Sequence, residues 1–387
     1  MPARQRRPLW GLALLAAVAA VAACSNSTGP QAHLADPQQL SSDLQAVSGV
    51  LQSSVLASFG VVGTAVGSPA TVATPAGALL QAAPITTPRS AGQAYLDAPR
   101  RLQALRLAAG TLGSGISASV VPPQYLGQTF VWDDATHQYV VGPDAGPTNG
   151  VRIILYALDP LTGNVAEPSN AVGFVDLLDE STTSPAVNKL HVTVQGGTPA
   201  SPNVTYADYT VSGSVTGNPA TTFNASAVGF VSDGTHPLTF NATFAATNLT
   251  SDNPDAQLDV AWDLANPVIH VELHETLATS DANHLTVTIN FSVVHGSETV
   301  AVTGTITVVS FPASLTANLS ITVNGVAYAR VRGSETATTN TIQLVHADGS
   351  ALSVAEQQAV TDLFDLPGWI ETAINNLFNP CEHLMGA

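Results

Sequence analysis

The chain has 387 residues, only 10% of them charged, and a formal net charge of −17 at pH 7. A chain this acidic repels phosphate backbones, so nucleic acid is excluded as an expected partner. Threonine, valine, alanine, serine and asparagine abound, a composition that favours extended sheet with polar but uncharged exposed faces.

The first residues of the chain have the pattern of an export signal. Arginines within the first seven residues precede an uncharged apolar run from Leu9 to Ala23. This run is shorter than the ~20 residues that a membrane-spanning helix needs. A charged start, a short apolar centre and small residues are typical of a secretory signal peptide. We therefore predict that residues 1–23 are a signal peptide.

The apolar run ends in Val21-Ala22-Ala23-Cys24. This stretch resembles the lipobox of bacterial lipoproteins, in which a small-residue tripeptide precedes a cysteine, and no family resemblance extends beyond it. The resemblance implies cleavage before Cys24 and acylation of its thiol, and more than one acyl chain holds a protein stably on a membrane. Ser25, in place of an aspartate, favours the outer membrane by similarity to enteric lipoproteins.

The residues after the cysteine complete the prediction of a tethered protein. Residues 24–36 are polar and rich in helix breakers, which suits a lipidated flexible tether. If Cys24 is acylated, Cys381 has no partner cysteine in the chain, and a zinc site built on several cysteines is excluded.

The segment 37–112 is predicted to contain helices and a linker. Asp36-Pro37 has the form of a helix start, a capping side chain followed by proline. Apolar residues then recur at helical spacing and predict a helix over 37–59. Residues 60–92 are rich in Pro, Gly and Ala and indicate a linker, and a short second helix is expected over 97–109.

From residue 113 to residue 350 the pattern becomes that of an antiparallel β domain. Apolar and polar residues alternate with a period of two, as in Leu285 to Val293, where threonines and Asn290 occupy the other face. Turn sequences such as Asp233-Gly234 and His295-Gly296 separate neighbouring strands. The sequence therefore predicts a meander of strands joined by short turns.

A sheet with one apolar face must have that face covered. Residues 353–380 supply amphipathic helices, beginning with a capping box from Ser353 to Glu356 and continuing through Trp369 and Phe378. The predicted fold is mainly β (α+β): a large curved antiparallel meander sheet or half-barrel with N- and C-terminal helices on its apolar face. It is similar to the architecture of periplasmic lipid-carrier lipoproteins, by analogy of fold alone.

One strand carries a pattern of metal-ligand type. A period of two places His270, Glu272 and His274 on one strand face, and two imidazoles with a carboxylate are a known zinc ligand set. The same positions are the polar face of an alternating strand, where such residues are hydrated without any metal. Both interpretations stay open.

A second candidate site follows from Asn324-Gly325, a strong hairpin-turn sequence. A two-residue turn pairs Leu319 with Arg330 and Ala317 with Arg332, so both arginines are predicted to project from the apolar face. They are candidates for binding the phosphate or carboxylate of an amphiphilic ligand. The alternative is that they pair with carboxylates of the covering C-terminal helix.

The chain contains no nucleophile elbow, P-loop, dinucleotide-binding glycine pattern or H-E-x-x-H motif. We therefore predict a non-enzymatic, lipid-anchored, extracytoplasmic protein of the cell envelope without a cofactor. Its partners would be the membrane, through Cys24, and a lipid or other amphiphile in the sheet concavity. The alternatives are a structural or adhesive envelope module, and a metal-dependent hydrolase that uses His270, Glu272 and His274.

Overall fold

The computed structural model describes residues 32–50, 102, 106, 120–281, 283–336 and 338–366. Several predicted features lie outside the described residues: the signal peptide, Cys24, most of the tether, residues 51–59, most of the linker region, Trp369, Phe378 and Cys381. The second helix expected over 97–109 also lies outside them, apart from residues 102 and 106. Among the described helices, none has the length and apolar character that crossing a membrane requires.

The protein is mainly β, and one open sheet of 16 strands forms its body. The strands are β1 (Gln128–Asp133), β2 (Gln138–Ala145), β3 (Gly150–Tyr156), β4 (Ala171–Asp179), β5 (Thr182–Thr183), β6 (Ala186–Thr198), β7 (Ser201–Thr216), β8 (Thr222–Ser232), β9 (Pro237–Thr247), β10 (Asp255–Ala265), β11 (Val268–Asp281), β12 (His284–His295), β13 (Glu298–Val309), β14 (Ser314–Val323), β15 (Val326–Thr336) and β16 (Gln343–His346). From β6 to β16 each strand pairs with the next in antiparallel fashion, so the predicted meander is confirmed.

The meander is interrupted near its N-terminal edge, where β3 pairs with β1 in parallel and β2 becomes the edge strand. Two backbone hydrogen bonds bring the chain back to Gly127, the residue just before β1. The N–H of Gly127 donates to the carbonyl of Gly150 (2.8 Å), and the carbonyl of Gly127 accepts from the N–H of Gly146 (2.8 Å). These bonds hold the beginning of β3 beside β1, and the sheet is therefore mixed.

Helices lie near both ends of the described chain. Helix α1 (Pro37–Val50) begins as predicted, because Asp36 Oδ1 accepts hydrogen bonds from the N–H groups of Gln38 (3.1 Å) and Gln39 (3.0 Å). Helix α2 includes residues 354–366 and has the predicted capping box: the Ser353 N–H donates to Glu356 Oε2 at 2.8 Å. A 3₁₀ turn, Pro123–Tyr125, precedes β1.

The apolar faces of the helices and the sheet form one hydrophobic core. Leu44 of α1 and Leu363 of α2 are completely buried in the same cluster as Leu285, Val302 and Ile321 of the sheet. Each buried side chain of this size contributes about 1.5–3 kcal/mol. The predicted packing of helices against the apolar sheet face is thus confirmed for the described helices.

Buried polar contacts also attach helix α1 to the turn between β12 and β13. His295 lies between Asp43 of α1 (Nδ1–Oδ2, 3.1 Å) and Glu298 of β13 (Nε2–Oε2, 3.3 Å). Glu298 also accepts a hydrogen bond from the N–H of Ala35 (2.9 Å). Because the apolar side of the sheet is held by both helices, its opposite side is the one presented outward.

Candidate functional site

The outward side of β12, β13 and β14 carries hydroxyl and amide side chains in register. Adjacent strands lie ~4.8 Å apart, and directly opposed residues share a face. Three rows cross the strands: Thr286–Thr307–Thr316, Thr288–Thr305–Asn318 and Asn290–Thr303–Ser320. With Ser292 and Thr322, which extend the set toward the β14–β15 turn, these residues are called the hydroxyl–amide face.

The hydroxyl–amide face arises from the alternation that builds the core. Apart from Gly304, the intervening residues of the three strands are apolar and buried, such as Ile289, Val302 and Leu319, so register aligns the polar set on the opposite side. Side chains in the middle of this face, including Thr288, Thr305 and Asn318, are exposed to solvent.

The predicted direction of Arg330 and Arg332 is wrong. The turn pairs Val323 with Val326 as expected, but a β-bulge follows, and Arg330 lies opposite Ser320 while Arg332 lies opposite Asn318. Tyr328 is the additional residue: it is buried, and its ring packs edge-on against His346 with the ring centroids 5.3 Å apart. One extra residue moves every later side chain to the other face of the sheet.

The two arginines therefore extend the rows of the hydroxyl–amide face onto β15. They differ from the other described cations, which all pair with carboxylates: Arg106 with Asp252 (2.8 Å), Arg152 with Asp176 (2.7 Å) and Lys189 with Glu180 (2.6 Å). Within the described part of the chain, Arg330 and Arg332 have no carboxylate within ion-pair distance. Arg332 instead lies opposite Gln343 of β16.

On the other side of the hydroxyl–amide face, β10 and β11 carry histidine–aspartate pairs. His270 Nδ1 lies 2.6 Å from Asp263 Oδ1, and His274 Nδ1 lies 2.5 Å from Asp259 Oδ1. Partial burial alone would lower the pKa of His270, but hydrogen bonds to Asp263 and to Glu272 (Nε2–Oε1, 3.2 Å) outweigh it and raise that pKa.

The same pairing engages both histidines of the predicted zinc site. His270 and His274 each direct one ring nitrogen to an aspartate of β10, because each lies directly opposite that aspartate in the ladder. Within the described ranges, no three or more His, Cys, Asp or Glu side chains are grouped so that they could hold a metal ion. The geometry thus gives no support to a metal site at His270, Glu272 and His274.

An open depression of about 300 Å³ lies between β9 and β12 on the outward side. Its polar lining comes from Asn241, Thr243, Asp259, Glu272, His274, Asn290 and Ser292. Asn290 and Ser292 belong to the hydroxyl–amide face, so the depression continues that face toward the acidic strands.

Sequence reasoning missed the aspartate partners and the buried acids Asp43, Glu275 and Glu298. The turn at Asn266-Pro267 pairs Ala265 with Val268, and that register places Asp263 opposite His270, so the partners were available from the sequence. Glu275 is buried at an inward position of β11, between apolar neighbours, and the strict alternation of that strand would have shown it.

Comparison of the chain with protein-family models, with curated proteins and with solved structures finds no match. The chemistry of the site therefore rests on the residues of this chain: rows of hydroxyl and amide groups, bordered by arginines on one side and by imidazole–carboxylate pairs on the other.

Proposed function

We propose that the protein is a lipid-anchored, non-enzymatic component of the cell envelope that binds a hydroxyl-rich polysaccharide through the hydroxyl–amide face. The observation that carries this proposal is the register of β12, β13 and β14, which aligns Thr, Asn and Ser side chains in rows without a charged residue. The lipobox at Cys24 and the polar tether supply the attachment to a membrane.

The chemistry of the rows suits a sugar polymer. Hydroxyl and amide side chains both donate and accept hydrogen bonds, as sugar hydroxyls do. Their spacing repeats at ~4.8 Å across the strands and at ~6.7 Å along them, so a polymer of repeating units meets equivalent partners at successive strands. An uncharged polar face is also cheaper to desolvate than a charged one.

The apolar side of the sheet is covered by helices, and this favours a polysaccharide on the outward side over an amphiphile in the concavity. Leu40, Leu44 and Leu363 of the helices are buried in one hydrophobic cluster with the apolar side of the sheet. The described depression, by contrast, opens on the polar side and is lined by Asn241, His274 and Asn290 among others. The polar side is therefore the better supported binding surface.

The test is binding of the full-length protein, held in neutral phosphatidylcholine vesicles, to polysaccharide isolated from the envelope of its own cells. Thr305→Glu places a charge in the centre of the exposed face and should weaken binding about tenfold. Thr250→Glu, at an exposed turn residue between β9 and β10, is the matched control and should bind as the wild type does.

Both variants should unfold at the urea concentration of the wild type, because both sites are exposed. If the wild type binds no envelope polysaccharide, or if Thr305→Glu binds as well as Thr250→Glu, the proposal is wrong. Stoichiometric binding of a fluorescent fatty acid in that case would favour the amphiphile carrier instead.

A further inference from the structure

We infer that the polysaccharide is acidic, and that Arg330 and Arg332 bind its carboxylate groups at the β15 border of the hydroxyl–amide face. This inference rests on the proposed function and names the class of polymer. It differs from the sequence-based hypothesis for the same arginines, because the bulge at Tyr328 places them on the outward side of the sheet rather than against the helices.

The charge distribution on the outward side is the first observation. The chain has 28 acidic and 11 basic residues, yet the outward side chains of β12 to β16 include no aspartate or glutamate. Among the described residues, the lysine and arginine side chains on this surface are those of Arg330 and Arg332. In a strongly acidic protein, five strands with this composition form a local surface that attracts anions.

The local geometry around the arginines is the second observation. Residues two apart on a strand project from the same face ~6.7 Å apart. Arg330 is half-buried, and its Nη2 lies beside Gly349, where an added Cβ would be 3.5 Å from it. The guanidinium is thus held close to the turn that follows β16, and a planar guanidinium binds a carboxylate with two parallel hydrogen bonds.

The neighbours of the arginines supply the groups that a sugar ring needs beside its carboxylate. Ser320 lies opposite Arg330, and Asn318 and Gln343 lie on either side of Arg332. One monomer can therefore place its carboxylate on an arginine and its hydroxyls on the adjoining hydroxyl and amide groups.

The rows extend this contact beyond a single anion. From Arg330 the row continues through Ser320 and Thr303 to Asn290, three strand spacings or ~14 Å away. An isolated phosphate or a lipid headgroup would use only the arginines and leave this row unoccupied.

On the far side, Asp259, Asp263 and Glu272 repel negative charge. The gradient from arginines to carboxylates predicts that the acidic groups of the polymer lie over β15, and that its neutral groups lie toward β11 and β10.

The experiment uses the full-length protein in phosphatidylcholine vesicles and three probes: polygalacturonate fragments, dextran of the same length, and a soluble short-chain phosphatidylglycerol. Polygalacturonate should bind most tightly, and its affinity should fall with rising salt. Arg332→Gln should weaken polygalacturonate binding about tenfold and leave dextran binding unchanged. Lys189→Gln removes the same charge from β6 and should have no effect on either polymer.

The outcomes separate this inference from the proposed function. If dextran binds as tightly as polygalacturonate and Arg332→Gln matches Lys189→Gln, the acidic ligand is refuted while polysaccharide binding stands. If phosphatidylglycerol equals polygalacturonate and shows the same loss in Arg332→Gln, the arginines bind lipid headgroups and the inference is wrong. If neither polymer binds, the inference is wrong; if envelope polysaccharide is also not bound, the proposed function is wrong as well.

Discussion

Gly304 lies in the middle of β13, between Thr303 and Thr305 of the hydroxyl–amide face. Its φ is +146°, in a region that residues with a side chain rarely adopt. A Cβ at this position would lie 2.2 Å from the carbonyl oxygen of Asn318 and 2.9 Å from Leu319 Cα, both on the neighbouring strand β14. The close approach of these two strands therefore depends on glycine, and Gly304→Ala should push them apart.

The expected loss of stability has two parts. Forcing alanine into this backbone conformation costs about 1–3 kcal/mol. The contact with Asn318 is with backbone that must shift, and over-packing of this kind costs about 1–3 kcal/mol more. The sum, about 2–6 kcal/mol, is large against a typical folding free energy of about 5–15 kcal/mol.

Gly296→Ala is the matched control. Gly296 also has a positive φ, +58°, but no heavy atom lies within 4 Å of an added Cβ. Its replacement should cost only about 1–2 kcal/mol, from the left-handed conformation alone. Urea unfolding of the full-length chain, followed by tryptophan fluorescence and far-UV circular dichroism, measures both variants. A Gly304→Ala protein as stable as the Gly296→Ala protein would refute the strand packing described for β13 and β14.

Three further predictions concern the helices, the histidines and the anchor. Leu363→Ala, at a fully buried position of α2, should cost about 2–5 kcal/mol in urea unfolding, whereas Val354→Ala, 83% exposed, should cost less than about 0.5 kcal/mol. Because the folded-state pKa of His270 is raised, its charged form should stabilise the fold below pH ~6.5, and this stabilisation should be lost as the pH rises through the folded-state pKa. Asp263→Asn should lower the titration midpoint of the His270 imidazole, as measured by NMR. Cys24→Ser should abolish acylation, seen by mass spectrometry, and release the protein from the membrane fraction; an acylated or still membrane-bound variant would contradict the anchor.

The alternation of polar and apolar residues was sufficient to predict both faces of β12 to β14. Val287, Val302 and Ile321 are buried as expected because each strand has one predominantly apolar side, and a shift of register by one residue would expose all of them. The helix caps at Asp36 and Ser353 were predictable for a similar reason: a capping side chain bonds to backbone groups within its own turn.

The direction of Arg330 and Arg332 could not be obtained from the same rule. The Asn324-Gly325 turn fixes the register only until a bulge intervenes, and this bulge depends on burial of Tyr328 against His346, a residue of the next strand. The parallel pairing of β3 with β1 likewise depends on backbone bonds around Gly127 rather than on side-chain pattern. In both places a contact between distant residues overrides the local sequence preference.

The edges of the open sheet also bear on which surface meets a partner. An edge strand with free N–H and C=O groups can pair with another chain, and proteins shorten or interrupt such strands to prevent it. Here the edge strand β2 contains Pro143, which has no N–H to donate, and the opposite edge, β16, is only four residues long. With α1 and α2 packed on the apolar face, the outward side of β12 to β15 is the surface on which we propose that a partner binds. Because Arg330 and Arg332 stand one strand from the β16 edge, a polymer that follows the rows from β12 meets positive charge just before it leaves the sheet.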